Sequence, residues 1–316
     1  MPLSASDWSW AVPWWSTLVA VNAVTLLVAV YLFARPLRDV DQGDVRYVRT
    51  MRAMGLVFAA VALYRAIFVS SYLDQLAWFD TVWNSSLLIR SFAIFAELSF
   101  AGLIAKTLLR VNHDFPELAE GHGGFRTFLQ TKTPIVLFAC IATAQVFATT
   151  ATITKVDLLF ALEETCWGLG FLSIIPMLFF SLRALWRVRR TARGYQSRQL
   201  RRAVVFITVF AVGYAIFEIG FNLPLVYWPE AVAQLQAATP DPAFRFGAAA
   251  VRDAFQVVHQ TRSLGDWGGM AFVVWHTGYF SICVWMVLFL MTGPRLLRAT
   301  APQPTLPATA AAPATD

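Results

Sequence analysis

Charge is what this sequence has least of. Only 14% of its 316 residues are Asp, Glu, Lys or Arg, against roughly 25% in a soluble globular domain. That leaves too little polar surface to coat a water-soluble body of this length. Lysine is scarcer still: Lys106, Lys132 and Lys155 stand against 22 arginines. The three cysteines, Cys140, Cys166 and Cys283, all fall in apolar runs without C-x-x-C spacing. That excludes a disulfide framework and a cysteine zinc cluster, and they read as small core residues. Residues 1–15 lack a basic segment ahead of the first apolar run, which argues against a cleaved signal peptide. The net charge of +6 would raise nucleic acid as a partner for a soluble protein. Here the basic residues sit in short connections between apolar runs, so nucleic acid is excluded and the charge is a topology signal.

What is abundant is apolar: 58% of the residues are hydrophobic. Seven runs reach the ~20 residues that a membrane span requires. They cover 13–34, 53–75, 85–106, 133–153, 158–182, 203–228 and 269–292. None alternates like a membrane β-barrel strand, and a bilayer forces backbone groups to pair within each segment. The expectation is an all-α, polytopic seven-transmembrane-helix bundle forming one domain over 1–298, with the lipid bilayer as its partner. Residues 299–316 are almost entirely Ala, Pro and Thr, a composition that cannot form a core and predicts a disordered tail. No internal repeat is evident, and the pattern specifies no oligomeric state.

Arginine and lysine set the orientation. Segments 35–52, 106–132 and 183–202, with Arg295 and Arg298, hold 19 basic residues on one side. The other side holds Lys155, Arg245, Arg252 and Arg262. This predicts an N-terminus outside, a C-terminus in the cytoplasm, and a multi-pass protein of the cytoplasmic (inner) membrane. The arginines of 183–202 read first as that anchor and second as an anionic-lipid contact. The long outer loop, 229–268, repeats Phe246, Ala250, Val251, Ala254, Phe255 and Val258 at helical spacing. It predicts an amphipathic helix, either simple packing or a lid. His113, Asp114, Glu117, Glu120 and His122 read first as a solvated cytoplasmic loop and second as a metal site.

The functional signal is the set of ionisable residues inside spans. Arg65 lies in span two, Arg90 and Glu97 in span three, and Glu163 and Glu164 in span five. Glu218 lies in span six and His276 in span seven. Six formal charges left unpaired would cost on the order of 15–20 kcal/mol, so they must face one another or a wet cavity. At about 1.5 Å per residue, all fall in the outer half or near the midplane, with Arg65 just outside the midplane. Arg90 and Glu97, seven apart, share a helix face. Tyr214, Glu218 and Asn222 step by four, and Tyr279 and Cys283 share the face of His276. Pro224 lacks an N–H, so a kink would expose a carbonyl beside Asn222. Gly168 and Gly170 allow close helix approach.

Three classes of function suit such a cluster, and buried structural ion pairs are the alternative to all three. The reading preferred from sequence is binding or transport of a small anionic molecule, with Arg65 and Arg90 holding its charge. Its site comprises Arg65, Arg90, Glu97, Glu163, Glu164, Glu218, Asn222, His276 and Tyr279. A membrane-embedded enzyme is the second class, with a metal site from Glu97, Glu164, Glu218 and His276, although no Glu-x-x-His pair is present and one histidine is few for zinc. A sensor is the third. Span seven has no lysine, which excludes a retinal Schiff base there. A bis-histidine haem and a His-rich hydrolase centre are excluded by the single intramembrane histidine. The cofactor is otherwise unspecified.

Overall fold

The computed structural model describes residues 5–37, 42–71, 76–114, 124–187, 194–237, 246–256, 259–267 and 269–292. Nine α-helices occur among them: α1 (Ala5–Ala34), α2 (Gln42–Ile67), α3 (Ser86–Asp114), α4 (Gly124–Thr154), α5 (Asp157–Arg187), α6 (Gly194–Phe217), α7 (Trp228–Gln236), α8 (Gly247–Ala254) and α9 (Met270–Thr292). A π-helical segment, Glu218–Tyr227, joins α6 to α7. Seven rods are long and apolar enough to cross a membrane, α6, the π segment and α7 counting as one rod, Arg201–Gln236. Large apolar side chains such as Val24, Leu27, Val209 and Val274 stand exposed on the outside of the bundle. So much outward apolar surface is what an integral membrane protein presents to lipid.

Each helix from α1 to α5 packs on its successor. The last, α9, lies against α1 and α2 and meets α6 only thinly. One end of the bundle carries the basic segments. The other carries three two-residue strands, β1 (Ser70–Ser71), β2 (Leu76–Ala77) and β3 (His259–Gln260). β2 pairs antiparallel to β1 and parallel to β3. Trp10 and Trp14 of α1 pack edge-on against Trp78, and Trp78 lies beside Trp267. The start of α1 therefore shares this strand end with the segment following α2 and the one preceding α9.

Two span boundaries differ from expectation. The second helix stops at Ile67, although its apolar run continues toward 75. A helix end leaves carbonyls without partners, and here distant residues supply donors. Trp15 Nε1–H donates to Ile67 O at 3.1 Å. The Trp78 amide and Asn84 Nδ2 donate to Val69 O at 2.9 and 2.7 Å. With these carbonyls satisfied the chain turns into β1. Arg65 consequently stands in the last turn of α2 rather than near its middle.

The sixth rod runs on to Gln236 instead of stopping near 228. Glu230, Ala231, Gln234 and Leu235 are good helix formers, and Gln234 is anchored at both ends of its amide. Its Nε2 donates to Lys155 O and its Oε1 accepts from the Asp157 amide, each at 2.9 Å. That clamp secures the α4–α5 turn, where Lys155 takes the left-handed conformation with φ 59°. Burial pushes the Lys155 ammonium down from the usual lysine value, and Asp253 opposes the shift. Within 229–268 the expected short helix is present as α8, with Ala250 and Ala254 buried against α3 and α4. Val258, the stretch 115–123, the segment 188–193 and the tail 299–316 lie outside the described residues.

Toward the basic end the interior is mainly apolar, with Arg52, Thr107, Thr133 and Ser181 as its buried polar residues among the described ones. Leu103, Ile104, Leu108, Leu137, Ile141, Ile174 and Met177 are completely buried in one cluster. Glycines set close approaches between helices. A Cβ at Gly170 would lie 3.2 Å from Cys140 Cβ on α4, and one at Gly55 would collide with the Met291 side chain on α9.

Candidate functional site

The spans place their ionisable residues around a single cavity of about 290 Å³. Its polar lining is Arg65, Glu97, Glu163, Glu164, Glu218, Asn222 and His276. Phe100, Trp167, Phe210, Tyr214, Phe217 and Tyr227 supply the aromatic lining. Five rods contribute, α2, α3, α5, the α6–π–α7 rod and α9. This is the convergence that matching depth along separate helices suggests.

Arg90 is the exception among the expected lining residues. It stands behind the wall, 1% exposed. Its Nη2 lies 2.7 Å from Glu163 Oε1, 3.4 Å from Glu97 Oε2 and 3.0 Å from Gln145 Oε1. Arg65 Nη1 approaches Glu97 Oε1 at 3.9 Å. Both guanidiniums therefore face carboxylates, and Glu97 bridges the two. Removing such charges from water costs several kcal/mol per ion unless mutual attraction and hydrogen bonds offset it. The pairing of Arg90 with two acids and an amide supplies that offset.

The carboxylates outnumber the guanidiniums. Four glutamates line the cavity, and Arg65 and Arg90 stand against them. Glu164 Oε2 accepts from the Tyr214 hydroxyl at 3.4 Å. Glu218 accepts from Asn222 Nδ2 at 3.2 and 3.1 Å. Among the described residues neither acid has an Arg or Lys at ion-pair distance. Glu163 Oε2 is buried and has no hydrogen-bond partner. Charge neutrality in this interior calls for two further positive charges, as protons or as a bound cation.

Local backbone structure positions the acids. Glu218 opens the π segment, where a wider turn surrounds Pro224. π-helical turns are frequent at functional sites because they re-aim side chains out of the α register. Here the fourth-residue spacing still brings Asn222 to Glu218. Gly168 allows this segment to approach α5, since a Cβ there would lie 3.1 Å from Ile219 Cγ1 and 3.4 Å from Glu218 Cγ. His276 is buried between aromatic neighbours, its ring centroid 5.8 Å from Trp14 and 5.0 Å from Phe272. Trp14 Nε1–H donates to Thr277 Oγ1 at 2.9 Å, which fixes α1 over the cavity end of α9.

Gln145 was not evident from sequence as a site residue. A glutamine in an apolar run carries no signal of its own until Arg90 is seen beside it. The aromatic lining was equally silent, since packing explains any single Phe or Trp. The side chain of Tyr279 lies outside the described ones. Glu97, Glu164, Glu218 and His276 line the same cavity, and among the described residues no three His, Cys, Asp or Glu side chains are grouped as metal ligands. No family model, curated protein or solved structure matches the chain.

Proposed function

We propose that this membrane protein binds and carries a small molecule at the intramembrane cavity, with Glu164 and Glu218 supplying negative charge and exchanging protons for it. The observation that carries the reading is the excess of carboxylates in one shared chamber. A purely structural ion-pair network has no need of two acids without a basic partner, because uncompensated buried charge is strongly destabilising.

The same excess sets the sign of the ligand. From sequence alone Arg65 and Arg90 suggest an anion. Arg90 lies behind the lining and both guanidiniums face glutamates, so a positively charged or protonatable group suits the chamber better. Arg65 and Arg90 then hold Glu97 and Glu163 in place. The 19-to-4 distribution of basic residues supports the basic end in the cytoplasm and the strand end, with the N-terminus, outside the inner membrane. Reporter fusions at the two termini test that orientation.

The binding reading is tested by native mass spectrometry of purified protein beside elemental analysis. It expects a small organic molecule bound to the native chain and lost from the Glu164→Gln/Glu218→Gln variant, with no stoichiometric metal. Stoichiometric zinc or iron would instead favour an embedded enzyme. An empty protein whose double variant unfolds would favour structural ion pairs.

A further inference from the structure

A second cavity of about 320 Å³ lies between α6 and α9. Its lining is almost entirely apolar and includes Phe206, Val209, Val274 and Ile282. Phe210, Tyr214 and Phe217 line both this groove and the acidic chamber. The two spaces thus adjoin across one aromatic wall, and Tyr214 carries its hydroxyl toward Glu164 on the chamber side.

The groove sits at the thinnest seam of the bundle, where α6 and α9 scarcely touch. Gly213 and Gly278 line it, and a Cβ on either would meet nothing within 4 Å. Val209 and Val274 at its margin are each 67% exposed on the bundle exterior. In a bilayer that exterior faces acyl chains, so the groove is accessible sideways from the membrane.

We propose that chamber and groove together hold one single-chain amphiphile, an alkylammonium entering laterally from the bilayer. Its ammonium head meets Glu164 and Glu218 and the faces of Trp167 and Tyr214, where carboxylate and aromatic quadrupole both favour a cation. Its hydrocarbon chain lies in the α6–α9 groove over Gly213 and Gly278. The assignment rests on the reading of the chamber as a ligand site and adds the chemical class of the ligand. The adjacency of the two spaces, which share Phe210, Tyr214 and Phe217 as lining, argues for one molecule with two ends, and the charge excess argues for the sign of its head.

The test uses the full chain in phosphatidylcholine nanodiscs with a dodecylamine probe bearing a diazirine at the chain terminus. Peptide mapping after irradiation is expected to place the label on α6 and α9, around Val209, Val274 and Ile282. Excess dodecylamine should displace it and dodecyl sulfate should not. Gly213→Phe or Gly278→Phe, which fill the groove, should each lower the labelling about tenfold, the scale expected when several methylenes lose their burial. Butylamine, whose binding is followed by Trp fluorescence, should bind the wild type and both variants alike.

Label spread equally over the outer face of α1, without displacement by dodecylamine, overturns the amphiphile. So does displacement by dodecyl sulfate. If butylamine still binds in either case, the chamber remains a cation site and only the groove assignment is lost. If neither amine binds, the proposed function fails with it.

Discussion

The two halves of the bundle are built from the same seven rods and have opposite interiors. Toward the basic end, Leu108, Ile174, Met177 and Met286 are completely buried in a dry cluster. Toward the strand end the same helices surround a void lined by four glutamates, an arginine and a histidine. Helix packing alone cannot be the reason for the second interior, because the first shows that this chain can fill space with apolar side chains. Natural interiors approach crystalline packing density, and a polar void departs from that at a cost. The departure is confined to the half that also contains the π segment and the open α6–α9 seam.

The polar half is most sensitive to substitution at Arg90. Arg90→Met strands Glu97 and Glu163 as buried acids and should destabilise by about 3–5 kcal/mol, seen as a lower thermal midpoint in nanodiscs. Adding Glu163→Met should recover much of that loss, since a buried pair replaced by apolar groups of similar volume is often neutral. A double variant as unstable as the single one would mean that Arg90 is held by something other than these acids.

Leu108→Ala in the dry half should cost about 2–5 kcal/mol through a cavity and leave butylamine binding unchanged. A binding change of the same size as in cavity variants would show that the halves are not separate. Gly168→Val should cost about 1–3 kcal/mol by overpacking against Ile219 and Glu218, and it should weaken butylamine binding as well. Gly55→Val, which crowds Met291 in the other half, should match it in stability loss and spare binding.

The smallest effect concerns Lys155, outside the spans. Burial lowers its proton affinity on folding, so the unfolded chain binds the extra proton and stability rises with pH. The rise lies between the lowered folded value and the usual 10.5. The thermal midpoint should climb slightly over that window in the wild type and less in Lys155→Met.

Much of this architecture was legible in the residues. Seven apolar runs match seven rods, because span length follows from bilayer thickness and needs no tertiary information. Glu218 and Asn222 share a face because four residues make about one turn, and Gly168 marks a close approach because nothing smaller exists. The end of α2 was not legible. It depends on donors from Trp15, Trp78 and Asn84, and Trp15 lies some fifty positions away. Arg90 illustrates a second limit. Seven-residue spacing placed it on the face of Glu97 but could not tell a lining residue from one behind the wall, and that distinction changes the expected sign of the ligand. The groove over Gly213 and Gly278 was hidden for a third reason: a glycine beside open space and a glycine under a neighbouring helix look the same in a sequence.

The most direct test is the Glu164→Gln/Glu218→Gln variant, read simultaneously for thermal midpoint and butylamine binding. The midpoint should equal or exceed that of the wild type, because two interior acids with no basic partner among the described residues are removed. Binding should weaken by at least about tenfold, the worth of a charge-assisted contact. A lower midpoint with butylamine binding unchanged would contradict the proposed function and make these acids part of the scaffold.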